Sequence, residues 1–185
     1  LAAVRARIPR SSPLVLVLRD INPEVVAAWT QVLGDLRHVS IGSGSILQAQ
    51  VDAVLSPANS FGFMDGGIDL AYRELFGLHI QNRLQTFIEN RYAGELPVGA
   101  AVCIPTKHSH ITRMIAAPTM RKPCDINGTD NVRRALQAAL IFAQQVRPEI
   151  ERLGIPGMGT GIGRMDAVES AKQMNEAIRE VYVQQ

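Results

Sequence analysis

From Leu14 onward, short apolar β-type runs alternate with stretches that repeat apolar residues at helical spacing, and this alternation restricts the chain to a small set of α/β layouts. The run LVLVLR (14–19) has no polar interruption before Arg19, the pattern of a strand covered on both faces. Asn22 and Pro23 then read as a helix cap and first helical residue, and Val25, Val26, Trp29, Val32 and Leu33 mark one apolar face up to Gly34. HVSI (38–41) and DAVLS (52–56) read as further strands, with residues 57–67 irregular. Ile80, Leu84, Phe87 and Ile88 predict a helix over 78–92. AAVCIP (100–105) and TRMIAAP (112–118) read as two strands joined by the polar turn Thr106–Ile111, which makes that pair antiparallel. Val132, Leu136, Leu140 and Ala143 predict a helix over 130–145, and another strand ends near Ile155. Asp166 and Glu169 have capping-box spacing for a last helix, with Ala167, Ala171, Met174, Ile178 and Val181 as its apolar face. Strands separated by helices imply a mixed, mostly parallel sheet covered on both sides.

A chain of 185 residues suits one domain, and 46% hydrophobic with 19% charged residues is enough apolar surface for a packed core. Residues 1–13, carrying Arg5, Arg7, Arg10, Pro9 and Pro13, are expected as a flexible tail before one domain over 14–185. The sequence begins at Leu1 without a basic-then-apolar leader, and its longest aliphatic stretch, Leu14–Leu18, is far too short to span a bilayer. A net charge of +2 with scattered Lys and Arg argues against a dedicated nucleic-acid surface. Cys103 and Cys124 lack metal-ligand spacing and are expected as reduced, partly buried thiols of a cytoplasmic protein. His108 and His110 form an H-x-H pair in a turn, a solvated arrangement rather than a zinc site, and no metal or cofactor is expected.

Two loops carry the chemistry. SPANSFGFMDGGID (56–69) leads from a strand to a short helix starting near Asp69, and GMGTGIG (157–163) leads from the strand ending at Ile155 to the helix capped by Asp166. In open α/β sheets, ligands sit beyond the carboxyl ends of strands, where such loops lie. Glycines at 157, 159, 161 and 163 leave the backbone uncovered, so main-chain N–H groups can approach a ligand closely. Next to a helix N-terminus this makes a phosphate cradle. The register is not G-x-G-x-x-G, because the sixth position from Gly157 is Ile162 and from Gly159 is Arg164. No Lys-Ser/Thr pair follows the glycines, which removes a Walker A loop.

VDAVLSPANS, followed by GGID (66–69) and IPGMGTGIG, resembles the macrodomain family, whose loops typically read DAIVNAANS…GGGGVD and PxxGTGxxG. The resemblance covers roughly residues 35–182, and PANSFGFMDGGID with AAPTM (116–120) is similar to a bacterial and phage branch. It implies a three-layer α/β/α sandwich that binds ADP-ribose across the top of a mixed, mostly parallel sheet. It further implies that Asn59 bonds the distal ribose, that Gly66, Gly67 and Ile68 line ribose and diphosphate, and that Gly157, Gly159, Thr160, Gly161, Ile162 and Gly163 wrap the diphosphate. Asp69 falls where hydrolytic members carry the aspartate that positions or activates water. From the residues alone, a plain turn residue at Asn59 and a helix N-cap at Asp69 stay as the alternative readings.

Three departures stand out. The family's adenine-reading aspartate lies in a GDI triplet, which here is Gly44, Ser45 and Ile46, so Ser45 replaces a carboxylate, and Asp20 reads equally as a substitute reader or as a helix-entry residue. Met64 and Asp65 replace two glycines of the first loop, which makes Asp65 a second carboxylate near the reactive ribose. Phe61 and Phe63 replace smaller residues and either flank the ligand or fill the core. Three functions follow from these readings. The first is hydrolysis of an ADP-ribosyl ester, O-acetyl-ADP-ribose or ADP-ribose-1″-phosphate, with Asp69, Asn59 and Asp65 as catalytic candidates. The second is a non-catalytic reader of ADP-ribosylated protein or nucleic acid, and the third an α/β domain binding another nucleotide phosphate. With an ordinary carboxylate pKa of about 4, Asp69 is expected to orient water rather than deprotonate it.

Overall fold

The computed structural model describes residues 14–146 and 149–183, so the tail expected at 1–13 lies outside the described residues. Its strands are β1 (Val15–Asp20), β2 (Val39–Ser43), β3 (Ala53–Ser56), β4 (Val102–Pro105), β5 (Arg113–Ala116) and β6 (Arg152–Ile155). They form one six-stranded sheet in the order β2-β1-β6-β3-β5-β4, all parallel except the β4–β5 pair. The helices are α1 (Pro23–Leu33), α2 (Gly67–Phe76), α3 (His79–Tyr92), α4 (Asn131–Gln145) and α5 (Ala167–Val183).

Alternation along β1 shows why the helices occupy both faces. Leu16 and Leu18 belong to a core with Trp29, Leu136, Leu140 and Met174, which places α1, α4 and α5 on one side. Val17, one residue out of phase, belongs to a second core with Tyr72, Ile80, Leu84 and Ile88 from α2 and α3. The continuous apolar run of β1 is the signature of that two-sided burial. Among the described residues, no helix is long and apolar enough to cross a membrane.

Several expectations need correction. β2 continues to Ser43, past Ile41 where the sequence pattern stops, because it pairs with β1 as far as Asp20↔Ser43. Phe87 is 38% exposed, and Ile80, Leu84 and Ile88 carry the buried face of α3. At the start of α5, Asp166 Oδ1 accepts from Val168 N (2.9 Å) and Glu169 N (3.0 Å). The Glu169 carboxylate does not return the bond; it accepts from Gln173 Nε2 at 3.1 Å. Cys124 is exposed rather than partly buried, on the loop between β5 and α4, and both cysteines are free.

Candidate functional site

The sheet order places β6 between β1 and β3, so chain-distant loops meet at the carboxyl ends of these strands. There a cavity of about 620 Å³ opens, within the usual size range of ligand clefts. The segments following all five parallel strands line it: Asp20–Asn22, Gly44–Leu47, the loop from Pro57 to Asp69, Thr119 to Pro123, and the loop from Pro156 to Gly163. The catalytic and ligand-binding candidates singled out from the sequence lie on its wall, whereas Phe61, read there as a residue that flanks the ligand or fills the core, does not.

The first loop is shaped by Asn59. Its Oδ1 accepts from Phe61 N (3.1 Å) and Phe63 N (3.3 Å), and its Nδ2 donates to Phe63 O (2.8 Å). The side chain therefore folds its own loop, and one Nδ2 hydrogen remains for a ligand. Beyond it, the fully buried Met64 anchors the loop, and Met64 N donates to Gln81 Oε1 on α3 at 2.8 Å. Asp65 is exposed on the wall and Phe63 stands half exposed at the rim. Phe61 points elsewhere, its ring 5.0 Å beneath the Arg121 guanidinium and 5.8 Å from Lys122 Nζ.

Asp69 is not an N-cap. α2 starts at Gly67 with Gly66 as cap, so Asp69 sits in the first helical turn with its side chain turned inward. Only 8% of Asp69 is exposed, and its Oδ1 accepts from the buried Ser56 Oγ at 2.6 Å. Its Oδ2 has no donor among the described residues. Burial pushes the Asp69 pKa up to about 6, the Ser56 hydrogen bond pulls it down, and the nearby Asp65 charge raises it. The expectation of an ordinary carboxylate therefore fails, because a strand residue and a helix together exclude water from a group the sequence shows as a loop-end acid.

The second loop separates its glycines by task. Gly157 N donates to Asp20 Oδ2 at 2.9 Å. Gly159 has φ +72°, and a Cβ there would meet Val132 at 2.8 Å and Ile126 at 2.9 Å. A Cβ on Gly163 would fall 2.6 Å from Gly159 O, so these two glycines serve packing. At Gly161 a Cβ would meet nothing within 4 Å. Among the described residues, none accepts from the N–H groups of Gly159 to Gly163, nor from the first N–H groups of α2. Two stretches of backbone with uncommitted amides thus line one cavity. Ile162 bridges the two stretches, its Cδ1 lying 3.6 Å from where a Gly66 Cβ would be.

At the other end, Ser45 Oγ accepts from Leu47 N at 3.2 Å and caps the single helical turn Ile46–Gln48. The Ile46 side chain is buried against Gly154. Asp20 uses both carboxylate oxygens on backbone donors, Asn22 N at 2.8 Å and Gly157 N at 2.9 Å. Sequence reasoning passed over Arg19, the cation on this wall, whose Nη1 donates to Leu18 O and Ser40 O. It also passed over Ser56, whose partner lies 13 residues on, across a loop whose path no local pattern shows. His108 closes its turn, with Nδ1 accepting from His110 N and Ile111 N.

The fold and this cleft are those of a macrodomain. The Macro domain family model matches residues 55–174, and the chain belongs to the macrodomain family. An uncharacterized protein of Aquifex aeolicus is 34% identical over 141 residues, 76% of this chain and 81% of that protein. One from Aeropyrum pernix is 32% identical over 145 residues, covering 78% and 71% respectively. Among solved structures, the macrodomain of Mycobacterium tuberculosis DarG aligns with a TM-score of 0.65 at 19% identity, over 76% of this chain and 89% of that one. The macrodomain of Thermus aquaticus DarG aligns at 0.64 and 17% identity, over 90% and 93%. An Oceanobacillus iheyensis macrodomain with ADP aligns at 0.64 and 18% identity, over 74% and 72%.

Proposed function

We propose that the cleft binds ADP-ribose and hydrolyses an ADP-ribosyl derivative at the distal ribose. The observation that carries this reading is Asp69: a buried carboxylate on the cavity wall, with Oδ2 free of donors, beside two stretches of backbone with uncommitted amides. The amides from Gly159 to Gly163 and at the start of α2 are suited to a diphosphate, which the wall's other side chains are not, since Arg19 is committed to β2 and the rest are neutral or acidic. The solved macrodomains bound to ADP and, in Thermosipho africanus DarTG, to ADP-ribose support the choice of ligand.

In the hydrolytic step, water attacks the anomeric carbon of the distal ribose or the carbonyl carbon of an acyl group carried on that ribose. Asp69 Oδ2 accepts the water proton and passes it to the leaving oxygen, so the base is regenerated. With a pKa near 6, Asp69 is ionised at neutral pH yet more basic than an ordinary carboxylate, which suits a general base. Asp65 adds negative charge near the reacting ribose and keeps Asp69 basic. Asn59 holds the loop and offers its one remaining amide hydrogen to a ribose hydroxyl. One macrodomain over 14–185, a cytoplasmic site of action, and ADP-ribosylated protein or nucleic acid as the larger substrate belong to the same proposal.

Calorimetric titration with ADP-ribose, ADP, AMP and NAD tests the ligand. Micromolar or tighter binding of ADP-ribose, lost on Gly161→Glu, is the expected result; no heat with ADP-ribose refutes it. Asp69→Ala should then abolish turnover and keep ADP-ribose binding. Turnover that survives in Asp69→Ala refutes the catalytic assignment, and a wild type that binds without turnover would leave a reader module.

A further inference from the structure

We propose that Ser56 is the positioning residue for Asp69, fixing its carboxylate so that Oδ2 and not Oδ1 meets the reacting water; this rests on the hydrolytic reading above. Ser56 is the last residue of β3, fully buried, and its backbone is held against β5. It pairs in register with Ala116, and its carbonyl accepts from Ala117 N at 3.0 Å. A hydroxyl on so rigid a support has one place to donate, and the acceptor is Asp69 Oδ1 at 2.6 Å.

The neighbouring residue separates this role from mere helix docking. Tyr72, one turn along α2, donates its hydroxyl to Leu55 O at 3.0 Å. Consecutive residues of β3 thus hold the same face of α2 twice, and the Leu55–Tyr72 bond keeps the helix in place when Ser56 loses its hydroxyl. What Ser56 alone controls is the rotation of the Asp69 carboxylate and its ionisation, since it supplies the only hydrogen bond to that group among the described residues. The other titratable groups facing Asp69 are Asp65, from the first loop, whose charge raises its pKa, and Tyr72, from its own helix, whose own pKa the Asp69 charge raises. Removing the Ser56 donor leaves burial and Asp65 unopposed, and both favour the protonated acid.

The test is a pH titration of the Asp69 carboxyl carbon by NMR, assigned by comparison with Asp69→Asn, in wild type, Ser56→Ala, Ser56→Thr and Ser56→Cys. Ser56→Ala should raise the Asp69 midpoint by about one pH unit or more. ADP-ribose affinity should change less than about twofold, while kcat at pH 7 falls about tenfold to a hundredfold and its acid limb moves upward with the midpoint. Ser56→Thr, which keeps the hydroxyl, should restore the wild-type midpoint, with Ser56→Cys in between. An unmoved midpoint in Ser56→Ala overturns the proposal, and so does a loss of activity equal at every pH. If Ser56→Ala does not fold, the Ser56→Cys midpoint decides the matter, a wild-type value counting against us. Wild-type protein that shows the midpoint shift but no heat with ADP-ribose would instead sink the ligand assignment.

Discussion

Asp20 Oδ2 accepts from Gly157 N at 2.9 Å, joining the end of the first strand to a loop 137 residues away. Its other oxygen holds Asn22 N, so one carboxylate fixes both the entry into α1 and the start of the glycine loop. Asp20→Ala leaves two backbone donors without their partner and should lower unfolding free energy by about 1–3 kcal/mol. It should also weaken ADP-ribose binding by loosening the amide row. Asp20→Asn keeps one acceptor and should lose less on both counts. Guanidinium melts and calorimetry check this; an Asp20→Ala melt equal to wild type would mean the tie is not made in solution.

The glycines of the second loop should respond in opposite ways. Gly159→Ala imposes a side chain at φ +72° and against Val132 and Ile126, so a loss of about 1–3 kcal/mol is expected. Gly161→Ala meets open space and should stay within about 0.5 kcal/mol of wild type. Gly161→Glu should likewise melt with wild type while ADP-ribose binding disappears, because its carboxylate enters the phosphate position. Equal melts for the two alanine variants would contradict the division of tasks.

The helices were readable because burial leaves a period between three and four, as in α4, and β1 because burial on both faces leaves an unbroken apolar run. The site was readable in its backbone parts, since glycine is conspicuous and a glycine-rich loop has few uses. Its side chains were less so. Asn59 was open to a ribose-binding or a turn reading, and its geometry turns most of its amide onto its own loop. Ser56 lies within the DAVLSPANS run that carries the family resemblance, yet nothing local marks it as a partner of Asp69, because that contact forms only when α2 folds back under β3. Burial of Asp69, and therefore its raised pKa, is likewise a property of packing and not of neighbours in sequence.

The two cysteines should differ in reactivity. Cys124 is exposed, whereas burial pushes the Cys103 thiol up to about 11 and so suppresses its thiolate. In native protein near pH 8, a disulfide reagent should modify one thiol quickly, and Cys124→Ser should remove that phase. The second thiol should react only on the timescale of unfolding. Two fast thiols would mean that the Cys103 environment opens readily.

Asp69 should make the protein less stable at neutral pH than in mild acid. Its folded pKa of about 6 lies above the ordinary value of 3.8, so between these values the folded state holds more proton than the unfolded one. Stability then falls as pH rises from about 4 to about 6, and the deficit persists above that window, on the order of 2–3 kcal/mol at full development. Asp69→Asn keeps an acceptor for Ser56 Oγ and removes the charge, so it should be more stable than wild type at pH 8 and nearly equal at pH 4. The same titration governs chemistry with the opposite preference, because the base is active only when ionised, and kcat/KM should fall below pH 6. Denaturant melts of both proteins at pH 4 and pH 8 read the first effect and a pH–rate profile the second. A stability difference that is the same at both pH values would show that Asp69 titrates as an ordinary carboxylate, and the general-base role would fall with it.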